Sequence, residues 1–198
     1  VTWIVSKLTN REQLPCLIKH RLDKGVIVEI GTHQGLYSLQ LLKQSRGTVC
    51  CVDPWDNTSE EYIEQARMLP TPSVDRRDDH KLTVERLQVF GGRARILKMT
   101  SLQALGHFRD ESVDLVYVDG DHSYESVLSD LTQWWRKIRS GGYLAGHDIV
   151  CPGEQKGGWG QTIQPAVRHF VTAARPQELD VYLIVDCNFP WSFYIQKP

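Results

Sequence analysis

Long apolar runs are missing: nowhere do the 198 residues reach the roughly 18 consecutive apolar positions that a membrane-spanning helix needs. No basic-then-apolar leader opens the chain, so a cytoplasmic protein with no membrane partner is expected. Charge of one sign is also lacking. With 23 Lys and Arg against 24 Asp and Glu, the formal net charge is −1, without the positive excess of a phosphate-backbone binder, which disfavours nucleic acid as a substrate. The five cysteines (Cys16, Cys50, Cys51, Cys151 and Cys187) are odd in number and form no CxxC pair, so neither a zinc knuckle nor a dithiol redox centre is indicated. Cys50 and Cys51 fall in an apolar run and read as buried small hydrophobes. No repeat, linker or composition break divides the chain. A single domain over 1–198 is expected, of ordinary size for one core, and a homo-oligomer is compatible with it.

What is present is an alternation of short β-rich runs with longer helical ones, the pattern of βαβ units around a parallel sheet. Seven strands are expected, over 26–30, 48–53, 94–99, 113–119, 142–147, 181–185 and 192–196. The first five are separated by crossover-length segments; the last two are joined by a short link that suits an antiparallel hairpin. Between strands four and five, Val127, Leu128, Leu131, Trp134, Trp135 and Ile138 form one apolar helical stripe, with Ser123 as N-cap and Gly141-Gly142 as the stop. Leu36, Leu39 and Leu42 make a shorter stripe; residues 10–21 read as a leading helix and 161–174 as a late one. The result is an open α/β sheet, mostly parallel with an antiparallel last strand and helices on both faces. Segments 54–80 and 151–160 fit no regular pattern and leave strand ends where such sheets place ligands, so they are candidate substrate lids.

The chemistry gathers at those strand ends. In Glu29-Ile30-Gly31-Thr32-His33-Gln34-Gly35 a strand turns into a helix, and glycine at both ends of the turn lets backbone approach a ligand closely. A dinucleotide turn would need a further glycine where His33 stands, because a pyrophosphate packs directly on that backbone. His33 therefore argues against an NAD- or FAD-dependent oxidoreductase. Asp53 ends the second strand, 22 residues after Gly31, where a carboxylate can accept both hydroxyls of a ribose. Together these point to a nucleoside-type cofactor without a pyrophosphate.

Four blocks carry a further likeness: Glu29 to Gly35; Val52-Asp53-Pro54-Trp55; Val118-Asp119-Gly120-Asp121-His122-Ser123-Tyr124-Glu125; and Gly141-Gly142-Tyr143-Leu144-Ala145-Gly146-His147-Asp148. In order and spacing the chain resembles the class I S-adenosylmethionine-dependent methyltransferases, and more narrowly the small family grouped with macrocin-type O-methyltransferases and related to catechol O-methyltransferase. The resemblance implies a Rossmann-like fold, S-adenosylmethionine as cofactor and a small-molecule acceptor, methylated on a hydroxyl oxygen. It also implies that Glu29 and the turn through Gly31, Thr32 and Gly35 hold the methionine part, and that Asp53 holds the ribose. By the same likeness Thr100 or Ser101 lies near the adenine, and Asp119, Gly120 and His122 close the site beside the methyl.

A hydroxyl acceptor must lose a proton, and Asp121, His122 and His147 are the candidate bases, with Asp121 preferred. Metal-using relatives place one acid after strand four and an Asp-Asp or Asp-Asn pair after strand five. This chain offers Asp119, then His147 and Asp148. An imidazole in that set suits Mn²⁺ or Fe²⁺ better than Mg²⁺, which prefers oxygen ligands. Two rivals stand beside this reading: a catalytically silent nucleoside-binding protein, and a methyltransferase acting on protein or RNA.

Overall fold

Runs that are apolar on both faces make the centre of the sheet. The computed structural model describes residues 1–21, 25–55, 78–150, 160–173, 178–185 and 191–198. In it β2 (Val26–Ile30) and β5 (Val113–Val118) are buried along almost their whole length, as strands with helices on each side must be. They pair in parallel, Val28 opposite Val116 and Ile30 opposite Val118. β3 (Thr48–Asp53) and β4 (Ala94–Lys98) extend the sheet in parallel beyond β2. Beyond β5 lie β6 (Ile138–Ile149), β8 (Trp191–Gln196), β7 (Asp180–Ile184) and β1 (Thr2–Val5). β8 alone runs antiparallel to its neighbours, β6 and β7.

The α/β sheet with a reversed last strand is thus present, but among the described residues it has eight strands instead of the seven expected. The additional one is β1, a four-residue edge strand parallel to β7 with Trp3 opposite Val181. So short a run, separated from its partner by most of the chain, carries no local sign of pairing. The helix after β5 also differs from expectation: α4 (Tyr124–Lys137) ends before the two glycines, because Ile138 is already extended at φ −74°, ψ 133° and opens β6. Ile138 is fully buried in either setting, which is why it fitted the apolar stripe.

Period-two alternation distributes the central strands between two cores. Val28, Ile30, Val116 and Val118 pack beneath α4, α5 (Gly160–Ala173) and α3 (Ser101–Ala104). Ile27, Cys51, Leu115 and Tyr117 pack on the opposite face beneath α1 (Leu36–Gln44), α2 (Asp79–Leu87) and the segment Arg11–Arg21. That segment, expected as a regular helix, is a 3₁₀ stretch kinked at Ile18, and Pro15 within it has no N–H to give an α-helical ladder.

Caps fix the two helices nearest the site. The Ser123 hydroxyl accepts from the Ser126 N–H, as expected of an N-cap, and Thr100 forms a reciprocal capping box with Gln103. Between them lies a buried polar chain: the Trp134 indole N–H donates to Ser101 Oγ at 2.8 Å, and Ser101 in turn donates to Asp130. Burial pushes the Asp130 carboxyl up to about 6, against the pull of the Ser101 hydrogen bond. Because the folded state binds this proton more tightly than an ordinary carboxylate does, its stabilising effect is complete in acid and is lost as pH rises through about 6. Asp130→Asn keeps an acceptor for Ser101 and removes the buried charge. It is expected to stabilise the fold in urea denaturation by about 1–2 kcal/mol near neutral pH and to have little effect near pH 4; an equal effect at both would contradict the assignment.

Candidate active site

β2 has β3 on one side and β5 on the other, and the chain leaves them in opposite directions, which opens a crevice outside their carboxyl ends. Gly31 follows β2 at φ +83°, and a Cβ built there would lie 2.0 Å from the Asp119 carbonyl oxygen and 2.6 Å from Gly120 Cα. The two strand ends therefore touch backbone to backbone, and only glycine fits. Gly120 itself leaves room, its nearest neighbour across the turn being Ile30 at 3.5 Å from a built Cβ.

The turn after Gly31 is clamped from two sides. His33, at φ +52°, donates its N–H to Asp53 Oδ2 at 2.8 Å, while the Trp55 N–H donates to Asp53 Oδ1 at 2.7 Å. Each Asp53 oxygen retains acceptor capacity after these bonds. Burial raises the Asp53 carboxyl above its ordinary value, and the two N–H donors oppose that rise. From the other side α2 holds the turn: Thr83 Oγ1 donates to the His33 carbonyl at 2.9 Å, Gln34 donates to Asp79 Oδ1 at 2.9 Å, and Arg86 donates to the Gln34 carbonyl. The His33 imidazole lies 3.1 Å from Asp79 Oδ2, drawn toward α2. Gly35 ends the turn at φ +70°, against Thr83.

Two expected contacts look different at atomic level. Thr32 Oγ1 is buried with no hydrogen-bond partner among the described residues. Glu29 is 2% exposed and accepts from Ser38 of α1, and burial pushes its carboxyl up to about 8, so it is uncharged near neutral pH. Thr100 and Ser101 cap and brace α3 and α4 at the end of β4, as given above. Of the expected lid over 54–80, Trp55 is buried against His80, with ring centroids 4.7 Å apart, and Asp79 opens α2. Residues 56–77 and 151–159 lie outside the described residues, and Gly160 begins α5.

Acids and imidazoles converge beside the Gly31 turn. Asp148 accepts from His122 Nε2 at 2.6 Å on one oxygen and lies 3.2 Å from His147 Nδ1 on the other. Asp119 Oδ1 is 3.8 Å from His122 and 4.0 Å from His147. Adjacent strand residues normally face opposite sides. Here the register between β6 and β8 shifts: Gly146 pairs with Phe193 and Ile149 with Trp191, so His147 and Asp148 together oppose Ser192. This bulge, with Asp148 at φ +57°, brings both side chains to one cluster.

Burial opposes ionisation of Asp148, but the hydrogen bonds and charges of His122 and His147 outweigh it and hold the carboxyl far below its ordinary range. In Asp119 burial wins and raises the carboxyl, with His147 opposing and Asp148 adding to the rise. Burial would lower His122, yet the Asp148 hydrogen bond and charge raise it overall. The cluster faces a small recess, open to solvent, whose apolar wall is Val127, Ile163 and Phe193. Asp121 also lines it, but its oxygens accept from the Ser123 N–H, Ser123 Oγ and Ser126 Oγ at 2.9, 3.1 and 2.6 Å, a capping arrangement at the start of α4.

For a metal, single ligand atoms of Asp119, His122 and Asp148 all lie within 4.8 Å of one another. His122 thus takes the place expected for His147, and the set of two carboxylates and one imidazole fits a borderline divalent ion. The sequence reading missed Arg11 and Asp79. Arg11 reaches Asp119 from the other end of the chain; Asp79 lies in a charged run that reads as solvated surface.

Residues 28–149 match a family model described as a methyltransferase domain. The chain belongs to that family. Among curated relatives, an uncharacterized protein of Sinorhizobium fredii is 29% identical over 147 residues, 71% of this methyltransferase-family chain and 15% of that protein. An uncharacterized protein of Acanthamoeba polyphaga mimivirus is 25% identical over 155 residues, 75% of this chain. The chain spans only 15% and 60% of the length of these relatives. Its fold is similar to that of a cofactor-bound protein from MTB (TM-score 0.64, 14% identity, 94% of this chain and 78% of that one). It is similar also to the O-methyltransferase from Bacillus cereus in complex with SAH (0.60, 17%, 93% and 76%) and to the O-methyltransferase TomG from Streptomyces achromogenes in complex with SAM (0.58, 16%, 91% and 77%). Among the described residues no helix is long and apolar enough to cross a membrane.

The glycine contact can be tested directly. Gly31→Ala is expected to destabilise by about 2–4 kcal/mol in urea unfolding, combining a strained φ with a backbone clash. Gly92→Ala, where a Cβ meets open space, is expected to stay within about 0.5 kcal/mol of wild type. Equal effects would remove the case for close backbone packing.

Proposed function

We propose that the chain is an S-adenosylmethionine-dependent methyltransferase acting on a hydroxyl oxygen of a small-molecule acceptor. One observation carries this reading: the His122–Asp148 pair and Asp119 open onto one recess directly beside the Gly31 turn, with Asp53 on the neighbouring strand end. Family membership and the SAM- and SAH-bound O-methyltransferases of similar fold support the choice of donor.

When bound, S-adenosylmethionine supplies an electrophilic methyl on a sulfonium sulfur. The chain's own residues then have three tasks. Asp53 accepts the ribose hydroxyls while the His33 and Trp55 N–H groups hold its carboxylate in place. Gly31, Gly120 and Thr32 line the route of the methionine part, with Glu29 and Ser38 bracing the turn from behind. The acceptor hydroxyl gives its proton to His122, whose ring Asp148 orients and whose positive charge Asp148 then stabilises. Asp121, already engaged by three donors at the helix start, yields the role of base to His122. Val127, Ile163 and Phe193 exclude water from one side and suit an acceptor with an apolar flank.

A second reading follows from the compactness of Asp119, His122 and Asp148: these residues would hold a Mn²⁺- or Fe²⁺-like ion, which would supply Lewis acidity toward the hydroxyl, with His122 then a ligand instead of the base.

Calorimetry with S-adenosylmethionine is expected to give an affinity on the order of micromolar. Asp53→Ala is expected to weaken it by about 1.5–3 kcal/mol, the scale of lost hydrogen bonds to a charged group. Asp148→Asn should spare that affinity and lower release of S-adenosylhomocysteine from donor and pooled hydroxylated metabolites by about 100-fold or more. A wild-type protein that binds no donor ends the proposal. Release lost in chelator and restored by Mn²⁺ selects the metal reading; release that ignores chelator selects the imidazole base.

A further inference from the structure

One cation at the crevice has no part in the chemistry above. Arg11 opens the 3₁₀ segment and reaches across the sheet to the end of β5, where Nη1 lies 3.3 Å from Tyr117 OH and 3.4 Å from Asp119 Oδ2. The guanidinium sits 4.8 Å from the centre of the Tyr37 ring, and Tyr37 OH donates to the Arg11 carbonyl at 2.8 Å, so backbone and side chain are held together. The side chain is still 31% exposed. Among the described residues only Nη1 makes a hydrogen bond, which leaves the remaining donors of the fork for a ligand.

The surroundings leave this charge under-matched. Its neighbours on that face are tyrosine side chains, the Tyr37 ring at 4.8 Å and the Tyr117 hydroxyl at 3.3 Å. Asp119 is the near carboxylate, at a long 3.4 Å, and its other oxygen belongs to the imidazole cluster. An α-amino acid head group carries its carboxylate and ammonium roughly 3 Å apart. Arg11 and Asp119 Oδ2 present the complementary pair at 3.4 Å, next to the Gly31 turn.

We propose that Arg11 is the binding residue for the α-carboxylate of the donor's methionine part, with Asp119 Oδ2 facing its ammonium. This rests on the S-adenosylmethionine reading above. A guanidinium suits the task because its planar fork meets a carboxylate with two parallel hydrogen bonds, which a lysine cannot copy.

The test compares, by calorimetry, S-adenosylhomocysteine with its decarboxylated analogue, which keeps the nucleoside, the thioether and the ammonium. Wild type is expected to prefer the full ligand by about 10- to 100-fold, the scale of a charge-assisted contact. Arg11→Gln should bring that ratio close to one while leaving the analogue's affinity unchanged, and Arg11→Lys should fall between. A wild-type ratio near one overturns the proposal, as does a full ratio retained in Arg11→Gln. Should Arg11→Gln fail to fold, the wild-type ratio and Arg11→Lys still decide. Failure of wild type to bind either ligand removes the donor reading itself, a different outcome from loss of discrimination.

Discussion

The backbone of Gly31 rests on the backbone of Asp119 and Gly120 with no space for a single carbon between them, and the layout of the site depends on that contact. It brings the ends of β2 and β5 to contact distance at the point where the chain reverses its direction of travel across the sheet. Through His33 the same turn is tied to Asp53 at the end of β3, and through Asp119 it adjoins the imidazole cluster at the end of β6. One steric constraint therefore sets the distance between the two halves of the crevice. The clamp from α2 explains how the turn keeps His33 in a left-handed conformation that a non-glycine residue seldom adopts: three side chains of that helix, joined by the Trp55 indole N–H donating to the His33 carbonyl from the end of β3, hold the turn's carbonyls and side chains.

The second organising feature is charge. Asp119 and Asp148 share a small volume with His122 and His147, and Arg11 adds a cation from outside. Two carboxylates so close repel, and burial compounds the cost, so the pair divides the work unequally: Asp148 takes the hydrogen bonds and is held ionised, while Asp119 is pushed upward. The strained Asp148 conformation persists because both imidazoles grip its carboxylate.

Much of this was legible in the residues. Strands buried on both faces betray themselves as continuous apolar runs, which is why 26–30, 48–53 and 113–118 were readable, and a glycine turn followed by an acid at the next strand end marks a ligand crevice whatever the ligand. The short link before β8 disclosed the reversed strand. What was not legible shares one cause: partners distant in the chain. β1 becomes a strand only through β7, Arg11 joins the site only because Tyr37 and Tyr117 place it there, and the triplet with His122 in the expected place of His147 follows from a bulge that no local pattern announces. Asp121 marks a limit of local reading, because a carboxylate near a site and a carboxylate capping a helix have the same sequence signature.

The reversed strand has a consequence for what the recess can hold. Because β8 runs against β6, it begins where β6 ends, so its first residues stand at the ligand-facing edge of the sheet instead of its far side. Phe193 fills the space that Gly146 leaves by having no side chain, a Cβ there falling 2.7 Å from the ring. The ring thus becomes part of the recess lining, together with Val127 and Ile163. A parallel strand in the same place would present its amino end at the opposite edge and leave that wall open to water. The antiparallel strand β8 and the bulge beside it in β6 therefore supply together both halves of the recess, the polar cluster and the apolar surface.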